Sequence, residues 1–556
     1  MSGFKIIFAM MWDQKPMVNS LFRKLFFFIF VISFTTGTVL ADPKVLILTA
    51  GYGAGHNAGA TAIRAEMMRL HPEMSGDDIV IKKCEEFMPP RMRELALRGF
   101  AILQANYPQI FAGLFNTYSI VGRIAPNAGR LPSGGSLMLD QMTSYIENMR
   151  PDVIITTWFG ATEALDAIHR RGHLTDIRVA MVHTDHIPVD GRPEQLSQGA
   201  SPQRRTIGHF GLVALAADIA FMPSDEVRET FVRAGIPPGR VVTSGFPVVV
   251  PQTPPLTPAT WVDRMRAARA RANLPDRTTL LIEGGRSGVG NYPLMIASIL
   301  HANRSGSGIN ILAVCADNNS QFQEVTWLKN GTTQPREVQI LYNRLRPLLR
   351  HGATEASIRE MIRQGVNSSA VELRVYGFVR PTDPVTLTDL RLASNVVSAK
   401  PGGSSVTELG VNGIVTIVRE ETVPDGPFRS FREGYEGFNV RAFENAGLVH
   451  VNRDMATVGP ELLRVATDTQ GLAAFIDASN RFRAASRTDL IVDWAITEGN
   501  RHRTALSQTE AGTGGASHPS RALAPRVPGG GYIARCANFL VEYLASMRRI
   551  YGSARR

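Results

Sequence analysis

The residues best suited to chemistry lie in a glycine-rich stretch, residues 399–410 (AKPGGSSVTELG), between two apolar runs. A strand, a glycine turn and a helix N-terminus in this order present free backbone N–H groups, which suit a phosphate. Glu408 falls about one helical turn further on, where a carboxylate can accept both hydroxyls of a ribose. The same letters also fit a plain helix start with Ser405 and Glu408 as a capping box. The candidate phosphate contacts here are Gly402, Gly403, Ser404 and Ser405.

A second glycine turn, residues 283–290 (EGGRSGVG), directly follows an apolar run at residues 280–282. Closely spaced glycines let the backbone approach an anion, and neighbouring polar side chains can contact it too. A mobile loop without a ligand is the alternative. The candidate diphosphate contacts in this turn are Gly284, Gly285, Arg286, Ser287 and Gly288.

A third glycine turn carries the candidate base. Gly53, Gly55 and His56 follow the apolar run of residues 44–50, and a helical pattern follows them. A helix N-terminus disfavours an imidazolium cation, so His56 is expected to be neutral and able to accept a proton. A capping role is the alternative. Lys82 and Lys83 end the next strand, where a dinucleotide fold would need an acid for its ribose, and this argues against NAD.

Polar side chains at two further places complete the candidate site. His183, Asp185 and His186 follow the apolar run near Val179, and polar residues at strand ends are where open α/β sheets place their sites. Their spacing matches no specific zinc pattern, so we expect no metal and take Asp185 as a candidate base. A strand-end turn is an equal alternative. Glu436 and Asn439, in residues 434–440, suit sugar hydroxyls or a helix start.

The elements that position these residues alternate between short apolar strands and amphipathic helices along most of the chain. This pattern predicts parallel sheets with crossover helices, and a proline-dense segment divides them into two α/β halves. The pattern of residues 87–145 predicts amphipathic helices with aromatic and basic side chains, which either pack in the core or form a surface that faces a bilayer.

The predicted boundaries are 1–41 for a signal peptide or membrane anchor, 42–250 for the first domain, 251–262 for the linker, 263–499 for the second domain with an insertion at 321–369, 500–531 for a disordered linker, and 532–556 for a basic amphipathic helix.

The bulk composition narrows the class of protein. A length of 556 residues and a hydrophobic fraction of 44% fit an ordinary globular chain of two or three domains. The net charge of +11 is scattered without a nucleic-acid-binding motif, so an anionic membrane surface or phosphorylated substrates are the expected partners. Three separated cysteines predict neither a disulfide framework nor a metal cluster. The basic, apolar and small-residue order of residues 1–41 predicts a signal or an anchor, and thus membrane association.

Taken in order, these motifs resemble the glycosyltransferase family of plant monogalactosyldiacylglycerol synthase and bacterial processive diacylglycerol glucosyltransferase. The family is distantly similar to the transferase that makes peptidoglycan lipid II. The segments that carry the resemblance are TAGYGAGHNAGATAI (49–63), VHTDH (182–186), IEGGRSGVG (282–290), KPGGSSVTELGVNGIVTIV (400–418) and GYEGFNV (434–440). Residues 106–118 also resemble the acceptor-side helix of the family.

The resemblance implies a GT-B fold, in which two Rossmann-like domains face each other across a cleft. It implies transfer of a hexose from a UDP-sugar to a diacylglycerol-like membrane lipid, with inversion and with no metal or other cofactor. Glu408 would bind the ribose, the turns at 284–288 and 402–404 the diphosphate, and Glu436 and Asn439 the donor sugar. Gly53, Gly55, His56 and His183 would lie on the acceptor side. A non-catalytic, membrane-attached binding protein on the same fold is the alternative, because Tyr435 stands where relatives carry a glutamine.

Overall fold

The structure is a computed structural model of the full chain. It describes residues 42–51, 55–94, 97–99, 136–187, 209–285, 288, 290–303, 306–366, 368–419 and 434–510. Several predicted features lie outside these ranges: the signal or anchor at 1–41, the acceptor-side helix at 106–118, the tail helix at 532–556, and Gly53, Arg286 and Ser287.

The first half of the chain forms a six-stranded parallel sheet in the order β2-β1-β3-β4-β5-β6. Its strands are β1 (Val45–Thr49), β2 (Ile79–Lys83), β3 (Val153–Thr156), β4 (Arg178–Val182), β5 (Ile219–Met222) and β6 (Val241–Thr243). Its helices are α1 (Gly55–Leu70), α2 (Ser136–Met149), α3 (Phe159–Arg170), α4 (His209–Ala216) and α5 (Asp225–Arg233).

The second half forms another six-stranded parallel sheet in the order β12-β11-β10-β7-β8-β9. Its strands are β7 (Thr278–Glu283), β8 (Ile309–Val314), β9 (Val371–Tyr376), β10 (Val396–Ala399), β11 (Thr416–Arg419) and β12 (His450–Asn452). The helices that follow β6 along the chain are α6 (Pro258–Arg271), α7 (Tyr292–Ala302), α8 (Asn319–Asn330), α9 (Pro335–Leu345), α10 (Glu355–Gln364), α11 (Leu387–Ala393), α12 (Gly403–Val411), α13 (Gly434–Asn445), α14 (Val458–Thr467), α15 (Thr469–Ala485) and α16 (Thr488–Glu510).

Both sheets are covered by helices on both faces, and strands such as β1, β3, β8 and β10 are buried on every residue rather than on alternate ones. In β1 the side chains of Leu46 and Leu48 enter one core cluster, while those of Val45 and Ile47 enter another. In β7, Leu280 and Leu281 likewise point into different clusters. Continuous apolar strands of this kind are typical of buried parallel sheets. The expected architecture of two Rossmann-like α/β domains, the GT-B fold, is confirmed.

The strand orders place the glycine turns at special points of the two sheets. The chain runs outward from β1 to β2 and then returns to β3 on the other side of β1. In the second sheet it runs from β7 to β9 and returns to β10 beside β7. Ligands of open α/β sheets bind in the crevice at such switch points, outside the carboxyl ends of the strands. The turns after β1, β7 and β10 all lie there.

The last described helix corrects two predicted boundaries. Helix α16 spans Thr488–Glu510, so residues 500–510 are helical and not the disordered linker that we expected. Its residues Ile491, Val492 and Ala495 are buried in a core cluster of the first half, so the second domain does not extend to residue 499. Asp152 accepts hydrogen bonds from His502 Nδ1 (3.1 Å) and Arg503 Nε (2.6 Å) and thereby anchors the helix.

The segment between the halves is held by the second half. Residues 251–257 lack regular structure, but α6 begins at Pro258, capped by Thr257, so the predicted linker at 251–262 ends in a helix. Arg483 in α15 donates hydrogen bonds to the carbonyl oxygens of Pro251 and Thr253. The predicted insertion at 321–369 carries helices α8 to α10. None of the helices in the described ranges is both long and apolar enough to cross a membrane.

Candidate functional site

The turn after β10 leads into α12 without a side-chain cap. Gly402 is the N-cap residue and makes no side-chain cap, and Ser405 lies inside the helix, so the predicted capping box of Ser405 and Glu408 is not formed in the part of the chain that the structure describes. The first N–H groups of a helix have no intrahelical partners, and here they are open to a ligand. Ser404 is buried, and its hydroxyl has no hydrogen-bond partner among the described residues. The helix start therefore offers unsatisfied donors, as an anion site requires.

The glycine turn of the first half meets this helix start directly. A Cβ atom on Gly55, the first residue of α1, would lie 2.9 Å from Ser404 Oγ. A Cβ atom on Gly403 would lie 2.9 Å from the Thr184 carbonyl oxygen, a contact too close for any larger residue. Gly403 is pressed against the backbone of the loop after β4, and the contact between Gly55 and Ser404 shows that the starts of α1 and α12 approach each other. Their dipoles both favour negative charge between them.

His56 lies at this meeting point, and its ring is held by the first sheet rather than by α1. Its Nδ1 lies 2.9 Å from the Thr157 carbonyl oxygen and 2.8 Å from Thr184 Oγ1. A carbonyl oxygen only accepts, so Nδ1 carries the proton and Nε2 keeps its lone pair. Burial lowers the pKa of His56 to about 4, even though the hydrogen bond to Thr157 raises it in part. The ring is a neutral base at physiological pH, and these bonds to β3 and β4 loops do not cap a helix.

Asp185 and Asn439 join the two halves beside His56. The Asn439 side chain is completely buried, and its Nδ2 donates to Asp185 Oδ1 at 3.0 Å and to the Pro401 carbonyl oxygen at 3.4 Å. Its Oδ1 accepts from the His186 backbone N–H at 2.9 Å. The amide is thus used as a bridge between the halves, and its predicted contact with the donor sugar stays a prediction. The predicted role of Asp185 as a base also stays a prediction.

The two neighbouring histidines are packed in the protein. His183 Nε2 donates to the Ile187 carbonyl oxygen at 3.0 Å, and the ring packs against Phe210 and Phe231. Burial lowers the pKa of His183 to about 4. His186 lies edge-on to Phe443, and burial lowers its pKa to about 3. Packing accounts for His183, whose acceptor-side role stays a prediction.

The turn after β7 has one open side and one closed side. Gly285 has a φ of +63°, and a Cβ atom there would meet nothing within 4 Å. Gly288, at +54°, is pressed against β8: a Cβ atom would lie 2.1 Å from the Cys315 carbonyl oxygen. Of these two described glycines, Gly285 is the one with space beside it for a ligand. Glu436 follows in α13, where its backbone is described and its side chain is not.

Glu408 does not stand alone, and sequence reasoning missed its partner. Arg391 Nη1 donates to Glu408 Oε2 at 2.9 Å, while Arg391 Nε and Nη2 donate to the two carboxylate oxygens of Glu283 at 2.9 and 2.8 Å. Arg391 and Glu283 are 8% and 3% exposed, and the Glu408 side chain is 39% exposed. No pattern in the sequence separates Arg391 from the other arginines. In the same way, no pattern marks Thr157 and Thr184 as the residues that hold His56.

A cavity of about 470 Å³ opens beside Glu408, between the two halves. Its size lies in the range of ligand pockets in proteins. It is lined from the second half by Arg391, Ser404 and Glu408 and from the first half by α1 and the chain after β6. Ser404 and the half-exposed carboxylate of Glu408 line this cavity, and the neutral imidazole of His56 adjoins it, next to the contact between Gly55 and Ser404. Within the described ranges, no group of three or more His, Cys, Asp or Glu side chains has the geometry to hold a metal ion.

Two bacterial glycosyltransferases are similar in sequence to this chain along most of its length. It is 22% identical over 471 residues to the processive diacylglycerol beta-glucosyltransferase of Bacillus cytotoxicus, and the match covers 83% of this chain and 95% of the relative. The resemblance is confirmed. The diacylglycerol glucosyltransferase of Bacillus cereus is similar at 21% identity over 472 residues, with the same coverage.

Solved structures give weaker matches. MurG of Acinetobacter baumannii aligns with a TM-score of 0.41 and 12% identity, covering 81% of this chain and 99% of MurG. Anabaena Alr3699/HepE in complex with UDP-glucose aligns with a TM-score of 0.37 and 11% identity, covering 84% and 100%. No protein-family model matches the chain.

Proposed function

We propose that the protein is a glycosyltransferase that moves a hexose from a UDP-sugar to a membrane lipid such as diacylglycerol. The observation that carries this proposal is the meeting of two helix N-termini at Gly55 and Gly403, with His56 and Glu408 beside them. The names of the relatives from Bacillus cytotoxicus and Bacillus cereus, diacylglycerol beta-glucosyltransferases, support the choice of a hexose and of a lipid acceptor.

The donor binds in the second half. Glu408 accepts the ribose hydroxyls, because a half-exposed carboxylate is an acceptor-only group. The N–H groups at the start of α12, the Ser404 hydroxyl and the open side of the Gly284–Gly285 turn contact the diphosphate. These fixed donors stabilise the negative charge that develops on departing UDP, so the transfer needs no metal ion.

The acceptor reacts on the side of the first half. An acceptor hydroxyl gives its proton to His56 Nε2 while its oxygen forms a bond to the anomeric carbon. The bond from that carbon to the diphosphate oxygen breaks, and its electron pair leaves with UDP. Inversion is what the resemblance to the family implies, and it agrees with this single displacement, in which the acceptor oxygen attacks from the face opposite UDP. Hydrogen bonds to Thr157 and Thr184 keep the ring in the required tautomer.

The membrane would supply the acceptor. The basic and apolar residues 1–41 and the net charge of +11 favour attachment to an anionic lipid surface. The second half holds the water-soluble donor, and the lipid enters the crevice from the bilayer.

The test is a transfer assay with purified full-length protein, a panel of UDP-sugars, and vesicles that contain diacylglycerol with an anionic lipid. We expect a glycolipid product by mass spectrometry, formed equally in EDTA, with the anomeric configuration inverted by NMR. UDP-sugar binding without transfer to any lipid or hydrolysis would favour a non-catalytic binding protein. Tight NAD binding without UDP binding would overturn the proposal.

A further inference from the structure

One guanidinium, that of Arg391, connects two parts of the proposed donor site. It forms a two-bond pair with Glu283, the last residue of β7, immediately before the Gly284–Gly285 turn. Its third bond reaches Glu408 on α12. Arg391 therefore lies between the turn that faces the diphosphate and the carboxylate that faces the ribose.

Arg391 is held rigidly by its own helix. Thr386 caps α11 with a reciprocal pair of bonds to Asp389, and Asp389 also pairs with Arg271 at 2.8 Å. The neighbours Leu390 and Ala393 are completely buried. Burial alone would lower the pKa of the Arg391 guanidinium, but Glu283 and Glu408 outweigh it and hold the pKa above its usual value. Arg391 is thus a fixed, permanently charged donor.

The hydrogen bond from Arg391 to Glu408 is not needed to stabilise the buried guanidinium. Glu283 already forms two hydrogen bonds with the buried guanidinium and neutralises its charge. Glu408 lies at the cavity wall with a half-exposed side chain, and Arg391 occupies its Oε2. No described residue donates a hydrogen bond to Oε1, which remains available to a hydroxyl donor. Two carboxylates share one guanidinium, so the cluster keeps a net negative charge and Glu408 remains a strong acceptor.

We propose that Arg391 is a positioning residue for the ribose, which pins one oxygen of Glu408 so that the carboxylate is ordered before the nucleotide arrives. This inference rests on the proposed function. A glutamate side chain loses rotamer freedom when it binds a ligand, and a side chain that is already ordered avoids this loss. Through Glu283, the same guanidinium keeps the ribose carboxylate in register with the diphosphate turn.

The experiment compares a single variant with a double variant in which the cluster keeps its wild-type net charge. Removing Arg391 alone would leave Glu283 buried without a partner, which can prevent folding. The pair to compare is therefore Glu283→Gln, which keeps the Arg391–Glu408 contact, and the double variant Glu283→Gln/Arg391→Gln, which releases Glu408. Affinities for UDP and for 2′-deoxy-UDP are measured by calorimetry, with thermal unfolding to verify that each variant folds.

We expect the double variant to bind UDP roughly two- to tenfold more weakly than Glu283→Gln, because Glu408 must now be ordered on binding. Affinity for 2′-deoxy-UDP should change less, since its ribose makes fewer bonds to Glu408. Equal weakening of both nucleotides, or no weakening of either, would overturn the positioning role and leave the proposed function intact. Failure of the wild-type protein to bind UDP would overturn the proposed function itself.

Discussion

The two glycine turns that meet in the crevice are built alike and differ in charge. Both follow a strand at the switch point of a parallel sheet, and both lead into a helix whose first residue, Gly55 or Gly403, lies against the other half. The turn of the first half holds a neutral imidazole, bonded to the Thr157 carbonyl and the Thr184 hydroxyl. The turn of the second half is flanked by the ionic cluster of Glu283, Arg391 and Glu408.

This difference indicates a division of work. A neutral ring with one fixed proton and one free lone pair can accept a proton during a reaction, whereas a carboxylate already paired with a buried guanidinium is suited to binding. The first turn should therefore govern turnover, and the second should govern donor affinity. The variants below test whether these two effects separate.

The largest effect is expected for His56→Ala. Loss of the base should lower kcat roughly 10²- to 10⁴-fold, while the affinity for UDP stays within about twofold because the donor lies in the other half. Transfer assays and calorimetry measure the two quantities. His71→Ala, at the exposed end of α1, is the matched control. A variant that keeps wild-type turnover would make His56 a structural residue only.

Glu408→Ala should produce the opposite pattern. The ribose hydroxyls lose their acceptor, which should cost about 1–3 kcal/mol of UDP binding free energy, or roughly 5- to 150-fold in Kd. At saturating donor, kcat should fall much less than in His56→Ala. Calorimetry with UDP measures the loss, with Glu355→Ala on the exposed face of α10 as the control. Unchanged affinity would remove the ribose assignment and the division of work with it.

The sequence predicted both turns and both sheets because these features are local. Short apolar runs and glycine spacing were enough to locate every strand of the described fold, including β7 with its turn. The paired residue of Glu408 was not predictable, because Arg391 lies 17 positions away on another helix and pairs only after folding. The return of α16 to the first half was missed for the same reason: the burial of Ile491 and Val492 depends on a partner surface far away in the chain.

Asn439 shows how a correct location can carry an unforeseen contact. The sequence places an amide near the donor sugar. In the folded chain two of its three polar contacts, to Asp185 and to the His186 N–H, join the halves, and the third holds the Pro401 carbonyl of its own half. Amide side chains suit either role equally, so residue type alone cannot separate a ligand contact from a bridge between domains.

Asn439→Ala tests whether the two turns need this bridge. The variant leaves the buried His186 N–H without its acceptor, and we expect it to lower the free energy of unfolding by about 1–3 kcal/mol. If Asn439 is only a bridge, the affinities for UDP and for UDP-sugar should fall by the same factor. A selective loss of UDP-sugar affinity would instead establish the predicted sugar contact. Chemical unfolding and calorimetry provide both measurements.

The smallest effect is expected for the dependence of kcat on pH, and a small effect would support His56 as the base. Burial holds the pKa of His56 at about 4, below its ordinary value of 6.5, so the ring should remain an active base as the pH falls from about 7 to about 5. Over this range kcat should change less than about twofold, whereas a histidine of ordinary pKa would lose roughly 30-fold of its unprotonated form.

Folding must be followed in the same samples, because stability changes in this window too. The unfolded chain takes up protons on His56, His183 and His186 from about pH 6.5 downward, while the folded chain keeps them neutral until about pH 4 or below. Stability therefore falls between these values even though the rate should not. A rate that falls tenfold by about pH 5.5, in protein whose circular dichroism is unchanged, would assign the base to a group of ordinary pKa and move the reacting proton away from His56.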